Sequence, residues 1–301
     1  MSTDATKVEP GTAAAIPGVP LSSEGATRPG GRGVLAHVFI VLAALIFAAP
    51  LIYAFFSALK PNEEIYSLPP TLLGSEVRWG NFIEVFRFGP FLTYIRNSLL
   101  VAVAGTAVVL AVSTTAGYAF GRLRWRARDL VFILFLATLM VPQEVLVVPM
   151  YELMQWFGWV NTPQALILPF AFTAFGTFLM RQFFRAIPYE LEEAARVDGA
   201  GPVRTFLLII LPLAKSAVAV LAVFTFISFW NSYLWPLIVV YDYSTLGTLP
   251  IGLATFSGQF GTRWDLQMAA SIISMIPTIL IVLLLQKHLV KGIATAGLGG
   301  R

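Results

Sequence analysis

The sequence predicts an all-α membrane protein with six transmembrane helices, and three observations support this fold class. Of the 301 residues, 57% are hydrophobic and only 12% are charged, whereas a soluble domain carries about 25% charged residues. The mean hydropathy is +0.77. The apolar residues form several separate runs of about 20 residues or more, the length that crosses ~30 Å of hydrocarbon.

Six apolar runs are long enough to cross a membrane. They are predicted at about residues 34–59, 97–121, 130–150, 163–184, 213–240 and 267–289. Prolines interrupt three of them: Pro142 and Pro149 the third, Pro169 the fourth and Pro277 the sixth. Prolines are tolerated in spans when neighbouring helices satisfy the freed backbone groups, so they favour a packed bundle.

The segments outside the apolar runs define the predicted domain boundaries. Residues 1–33 contain Gly, Ala, Pro, Ser and Thr with few large apolar side chains, which is typical of a disordered tail. Residues 34–292 are predicted to form one six-helix transmembrane domain. Residues 293–301 are predicted to form a short C-terminal tail.

The distribution of positive charge predicts the orientation in the membrane. Lys and Arg are retained on the cytoplasmic side of short loops. With the N-terminus inside, fifteen of the 20 Lys and Arg residues fall on the cytoplasmic side. Four of them lie in the run GRLRWRAR, Gly121 to Arg128, between the second and third spans. Both termini are therefore predicted to be cytoplasmic.

The sequence has no recognisable source of energy or catalytic centre. It has no cysteine and no G-x-x-x-x-G-K-[ST] motif, so it predicts no thiolate metal site and no phosphate-binding P-loop. The apolar runs almost lack carboxylates, which mark proton relays and ion-coupled carriers. We expect no catalytic residue, metal, cofactor or nucleic-acid partner. Either the protein is a passive pore, or another protein drives it from the cytoplasm.

One polar segment, about residues 187–212, separates the fourth and fifth apolar runs. Pro188 can begin a helix, and acids favoured by the helix dipole follow in its first turn: Glu190, Glu192 and Glu193. Gly199 is a natural stop, and a second helix should run to a break near Pro212. The segment is either an amphipathic linker on the inner leaflet or a helix on which another protein docks.

The same segment carries a motif that resembles a known family. Glu193-Ala194-Ala195, then Gly199, then Ile209-Ile210-Leu211-Pro212 matches the loop motif of ABC importer permeases. Shorter matches resemble the carbohydrate-uptake, MalG-like branch and cover about residues 34–292. They are Asn97 to Leu99, Ile187 to Ala195, Asp198 to Ala200, Trp230-Asn231, Ile276-Pro277 and Leu289 to Gly292.

The resemblance implies the type I ABC importer permease fold and a role in a multi-pass permease of a bacterial or archaeal inner membrane. A coupling helix would seat on a separate ATPase subunit through five residues: Glu193, Ala194, Ala195, Asp198 and Gly199. The implied partners are a second permease, usually a different chain, two ATP-binding subunits that hold ATP and Mg, and an extracytoplasmic solute-binding protein. The chain itself would not be an enzyme.

The solute and its binding residues are less defined. Trp230, Asn231 and Ser232 in the fifth span are candidates for the solute pathway, because polar groups at membrane depth should face the bundle interior. Alternatively, Trp230, Tyr233 and Trp235 form an interfacial aromatic belt or pack within the bundle. We expect a sugar or oligosaccharide. Importers of glycerol-3-phosphate or a related polyol phosphate, a self-contained secondary carrier or channel, and a membrane-embedded enzyme are the alternatives.

Overall fold

Long helices dominate the computed structural model, which describes the backbone of residues 31–258 and 261–298. Side chains are described for residues 35–258 and 261–287. The chain divides into two units, Met1–Pro50 and Leu51–Arg301.

Helix α1 (Gly31–Ser57) begins in the first unit. Its apolar side chains before Pro50 are largely exposed, as at Phe39 and Phe47. Because α1 starts at Gly31, it includes the last three residues of the predicted tail. The rest of that tail lies outside the described residues.

The second unit contains the remainder of α1 and a series of further helices. These are α2 (Gly80–Phe88), α3 (Phe91–Gly121), α4 (Arg128–Ala137), α5 (Val147–Trp156), α6 (Pro163–Ile167), α7 (Ala174–Ala186), α8 (Glu190–Val197), α9 (Pro202–Thr205), α10 (Leu211–Leu213), α11 (Lys215–Trp230), α12 (Leu234–Val239), α13 (Tyr243–Leu246), α14 (Leu249–Ala254) and α15 (Trp264–Leu298). Short 3₁₀ helices cover Asn62–Glu64, Thr138–Met140, Gln143–Leu146 and Leu168–Phe170, and a π-helix covers Phe206–Ile210. The strands β1 (Ser257–Gly258) and β2 (Gly261–Thr262) form one antiparallel pair.

Three helices of the described chain are long and apolar enough to cross a membrane without a break: Leu35–Ser57, Phe91–Gly121 and Trp264–Lys287. Three bent pairs pass the same test together, with bends of 90°, 48° and 77°. They are Arg128–Met140 with Gln143–Trp156, Pro163–Phe170 with Ala174–Ala186, and Pro202–Leu213 with Lys215–Trp230. The six predicted spans correspond to these elements if each bent pair is one span.

The predicted effect of the prolines is correct at two positions and wrong at two. The backbone bends near Pro142 and Pro169. Pro149 does not break a helix, because it lies in the first turn of α5, where its N–H would have no helical partner anyway. Pro277 lies inside the unbroken α15. One turn before it, the carbonyl of Ser274 accepts a hydrogen bond from the Trp230 indole.

The fifth span differs from its predicted limits of 213–240. The helix breaks at Ala214, whose ψ of 12° is not helical, and α11 ends at Trp230. Residues 231–233 leave the helix before α12 begins. Helix α15 continues to Leu298 and so includes part of the predicted C-terminal tail, while residues 299–301 lie outside the described residues.

Helix α3 is central to the second unit, because it packs against both α7 and α11. Its first half lies in an apolar cluster with α11 and α15, which includes Phe91, Val101, Phe229 and Leu266. Its second half lies in another cluster with α7, the segment before α11 and the start of α11, formed by Tyr118, Met180, Phe184, Phe206, Ile210, Ala214, Ala217 and Leu221. Gly117 allows close contact between α3 and α7, because a Cβ there would lie 2.7 Å from the Cβ of Met180.

Candidate coupling and solute-pathway sites

The predicted docking segment forms a short helix that ends at a glycine. Helix α8 has acids in its first turn and ends in a Schellman motif. The Ala200 N–H donates to the Ala195 carbonyl at 2.8 Å, and the Gly199 N–H donates to the Arg196 carbonyl at 3.0 Å. Gly199 has φ of +79°, a conformation that glycine adopts without the steric cost of a Cβ. The short helix and its glycine stop are therefore confirmed as local structure.

The two faces of α8 carry different residues. Glu192 and Ala195, three positions apart, are buried against the rest of the chain. Glu193 and Ala194 are exposed, as are Asp198 and Gly199 after the helix. Of the two alanines predicted to contact the ATPase subunit, Ala195 is only 5% exposed and faces the rest of the chain. Consecutive residues on a helix are about 100° apart, so the two alanines cannot share a face.

The buried face of α8 rests on the end of α3, through a residue that sequence reasoning did not select. The Arg122 side chain is fully buried, and its Nε lies 3.1 Å from Oε1 of Glu192. Its guanidinium carbon lies 4.2 Å from the centre of the Tyr189 ring, a cation–π contact. Arg122 also donates from Nη2 to the Ile187 carbonyl. One side chain thus fixes the start of the docking segment.

Two further contacts join the same regions. The Tyr118 hydroxyl donates to the Pro202 carbonyl at 3.4 Å, and its ring lies 4.9 Å from that of Phe206. Arg181 of α7 donates to the Phe120 carbonyl and contacts Asp129, each at 3.2 Å. The two polar connections predicted to be cytoplasmic are therefore adjacent in space. Their consecutive glutamates and clustered arginines were visible in the sequence, but the pairing of Arg122 with Glu192 was not.

The predicted solute-pathway residues do not form one site. Trp230 is 2% exposed, stacks on Phe226 at 5.8 Å and donates its indole N–H to Ser274 at 3.0 Å. Asn231 is exposed on this chain, in the connection after α11, and Ser232 is half-buried. Asn231 was expected to face the bundle interior, but the helix that would have directed it there ends one residue earlier.

The predicted aromatic belt is also wrong for its two tryptophans. Trp235 is 5% exposed, and its indole N–H donates to the Ala165 carbonyl at 2.8 Å. Like Trp230, it packs within the chain and satisfies a backbone carbonyl. Tyr233 is 42% exposed. Both tryptophans instead pack within the bundle, which is the other interpretation of these aromatic residues.

The far end of α3 is joined to the segment that follows α12. The Asn97 amide donates to the carbonyls of Thr245 and Gly247 at 2.9 and 3.0 Å. The Ser98 hydroxyl accepts the Leu249 N–H at 2.7 Å. These neutral hydrogen bonds join the first residues of the predicted second span to the segment after α12.

Several carboxylates at this outer end have hydrogen bonds that favour their ionised form. The Ser244 and Thr245 hydroxyls donate to Asp242, which lowers the pKa of that carboxyl below its usual value. Hydrogen bonds from Ser75 likewise lower the pKa of Glu64. Arg263 bonds to buried Asp265 at 2.9 Å and lies 3.1 Å from Glu84, and the bonds to Asp265 hold its pKa above the usual value.

Within the part of the chain that the structure describes, no group of three or more His, Cys, Asp or Glu side chains is arranged to hold a metal ion. Several titratable groups instead form ion pairs, such as Arg122 with Glu192 and Arg263 with Asp265.

Comparison with known proteins gives several strong matches. One family model, described as "Binding-protein-dependent transport system inner membrane component", matches residues 113–295. The sn-glycerol-3-phosphate transport system permease protein UgpE of Pectobacterium atrosepticum is 38% identical, over 87% of this chain and 96% of its own length. The UgpE protein of Yersinia pestis bv. Antiqua is 36% identical over the same shares.

Solved structures show the same fold. The first is a bacterial ABC transporter involved in the import of the acidic polysaccharide alginate, with a TM-score of 0.74 at 23% identity. The match covers 86% of this chain and 96% of that one. The methionine ABC transporter MetNI, in an inward-facing conformation, gives a TM-score of 0.52 over 65% of this chain and 93% of its own. With the family match and the curated relatives, these structures confirm the type I ABC importer permease fold, and the chain belongs to the family of inner membrane components of binding-protein-dependent transport systems.

Proposed function

We propose that this chain is the permease subunit of an ATP-driven importer whose solute is a polyol phosphate of the sn-glycerol-3-phosphate class. The observation that carries the choice of solute is the likeness to glycerol-3-phosphate permeases, at 36–38% identity over 87% of the chain. This was the alternative to the sugar or oligosaccharide that the sequence favoured. A neutral sugar is the second candidate, because the carbohydrate-like motifs favour it.

A phosphate group needs a cation near the pathway, and Arg96 is placed to supply one. Helix α3 begins at Phe91, six residues before the predicted span, so Arg96 lies in its second turn. Its side chain is exposed between Leu92 and Leu100 on the same helix face. Among the described residues no carboxylate lies within ion-pair distance, and a guanidinium binds phosphate through paired hydrogen bonds.

Uptake into proteoliposomes tests the solute. The complex, with all co-purifying subunits and its binding protein, should import sn-glycerol-3-phosphate and not maltose. Arg96→Gln should raise the KM for the phosphate by about tenfold to a hundredfold, the loss expected for a charged hydrogen bond. Arg126→Gln, which removes an exposed arginine from the connection between α3 and α4, is the control. Import of maltose alone would favour the neutral sugar, and unchanged KM in Arg96→Gln would exclude Arg96 as the phosphate contact.

The energy comes from partner ATPase subunits, which bind ATP and Mg, so this chain hydrolyses nothing. The exposed residues Glu193, Ala194, Asp198 and Gly199 supply the contact, with Ala195 supporting them from the buried face. A second permease completes the pathway, and the segments at about 60–96 and 241–266 receive the solute-binding protein. Both termini and α8 lie on the cytoplasmic side.

Solute-stimulated ATP hydrolysis tests this assembly. We expect the binding protein with its solute to stimulate hydrolysis in the wild-type complex. Glu193→Lys reverses an exposed charge, and Gly199→Asp adds a carboxylate to the same exposed corner. Both should uncouple hydrolysis from import or release the ATPase subunits. A chain that purifies alone and transports without ATP would instead be a secondary carrier.

A further inference from the structure

The contact between α3 and α8 buries two opposite charges. The Arg122 side chain is 0% exposed and the Glu192 side chain 5% exposed, at 3.1 Å from each other. Removing such charges from water costs several kcal/mol per ion, and well-packed apolar residues often stabilise a fold as well or better. Stability alone therefore gives little reason for an ion pair at this position.

The pair is close but incompletely bonded. Although Nε of Arg122 and Oε1 of Glu192 are at ion-pair distance, neither meets the geometry of a hydrogen bond, and Arg122 Nη1 has no acceptor. Hydrogen bonds weaken steeply with angle, whereas the attraction between charges depends mainly on distance. Charge attraction therefore holds α8 on α3 without an aligned hydrogen bond between the two side chains.

The adjacent glutamates Glu192 and Glu193 lie on different faces of α8. Glu193 is exposed on the face proposed to contact the ATPase, and Glu192 is buried against α3. A force applied to the exposed face must cross α8 to reach the bundle. Arg122 is bound at three points along this segment, through Ile187, Tyr189 and Glu192.

We propose that Arg122 and Glu192 are positioning residues that make α8 and α3 move together, so that displacement of α8 by the ATPase reaches the transmembrane bundle. This inference rests on the proposed function, because it takes the exposed face of α8 as the ATPase contact. Without the pair, α8 would tilt on its glycine corner and leave α3 in place. ATP would then be hydrolysed with little import.

A distance measurement tests the attachment in the full chain. Because the chain has no cysteine, spin labels can be placed only where intended, at Val197→Cys on α8 and Arg124→Cys beyond α3, both exposed positions. We expect one narrow distance distribution, which broadens in Glu192→Gln but not in Glu190→Gln. Glu190 is an exposed glutamate of the same helical turn and serves as the matched control. An equally narrow distribution in Glu192→Gln would overturn the proposal.

The ratio of ATP hydrolysed to solute imported tests the consequence. In proteoliposomes, Glu192→Gln should raise this ratio by about tenfold, within the range for changes along a coupling network, while the ATPase subunits stay bound. A purely structural role would lower the yield of complex and leave the ratio unchanged. If Glu192→Gln does not assemble, the double variant Arg122→Met with Glu192→Leu, which leaves no charge buried, replaces it, and the ratio should rise by a similar factor.

The outcomes separate this inference from the proposed function. If the wild-type complex is coupled and the Glu192→Gln complex hydrolyses the same amount of ATP per imported solute, only the role of the pair is overturned. A wild-type complex without solute-stimulated hydrolysis overturns the proposed function and this inference with it.

Discussion

The two ends of α3 are attached to the rest of the chain by different kinds of contact. At its C-terminal end, which we propose lies on the cytoplasmic side and call the inner end, Arg122 and Glu192 form a buried ion pair whose facing atoms lack hydrogen-bond alignment. At its outer end, Asn97 and Ser98 make three neutral hydrogen bonds to backbone groups, at 2.7 to 3.0 Å. A neutral, directional network fixes one register, while a charge pair tolerates changes of angle. The difference indicates that charge attraction contributes to holding the inner end, whereas neutral hydrogen bonds hold the outer end.

The comparison predicts that loss of one charge at the inner end has the largest effect on stability. In Glu192→Leu, Arg122 remains buried without its carboxylate, which should destabilise the fold by about 3–5 kcal/mol. The double variant Arg122→Met with Glu192→Leu should recover most of this, because no charge is left buried.

Unfolding of the detergent-solubilised chain, followed by circular dichroism, measures both variants. If the single variant is as stable as the wild type, the ion pair is not buried as the structure shows. A double variant that is stable but poorly coupled would separate folding from transmission of force.

Removing hydrogen bonds at the outer end should lower the stability of the fold by less. Asn97→Leu removes two hydrogen bonds and leaves the carbonyls of Thr245 and Gly247 without these donors, at a cost of about 2 kcal/mol. The same unfolding measurement checks it, with Arg87→Leu, at an exposed position of α2, as control. Because this network fixes the segment after α12 relative to α3, we also expect proteolysis near Thr245 to be faster in Asn97→Leu than in the wild type. Protection equal to that of the wild type would mean that the outer end is held by its apolar cluster alone.

The glycine that ends α8 should give a still smaller effect. A Cβ at Gly199 would meet no atom within 4 Å, so Gly199→Ala costs only the strain of its positive φ, about 1 kcal/mol. Gly199→Asn should cost less, since Asn tolerates this conformation better. Both are measured by the unfolding midpoint. Equal stability of the two variants and the wild type would show that the corner can relax, contrary to a fixed angle between α8 and α9.

The sequence predicted what periodicity and composition can determine. The apolar runs predicted the positions of the long helices, and the polar segment predicted α8 with its stop at Gly199, because these depend on neighbouring residues. It did not predict the pairing of Arg122 with Glu192, 70 positions apart, since that depends on how α3 and α7 pack. Nor did it place Trp230 correctly. An aromatic residue near the end of a span looks the same whether it lies at the interface or donates to Ser274.

The smallest expected effect is also at the outer end, where the stability of the fold should depend on pH through Asp242. Hydrogen bonds from Ser244 and Thr245 lower the pKa of this carboxyl from its usual 3.8. A carboxyl whose pKa is lower in the folded chain than in the unfolded chain stabilises the fold above the unfolded pKa. That contribution is lost as the pH falls through the folded value.

Asp242→Asn should therefore be slightly less stable than the wild type at pH 6, and the two should converge below pH 3.8. Unfolding midpoints measured from pH 6 to pH 3 give the comparison. Because Asp242 caps α13 through its Ser244 contacts, the effect should be local, with Asn97 still holding the segment to α3. A difference that persists unchanged at pH 3 would show that the cap acts through shape and not through charge, so that Asp242, like Asn97 and Ser98, would hold the outer end as a neutral group.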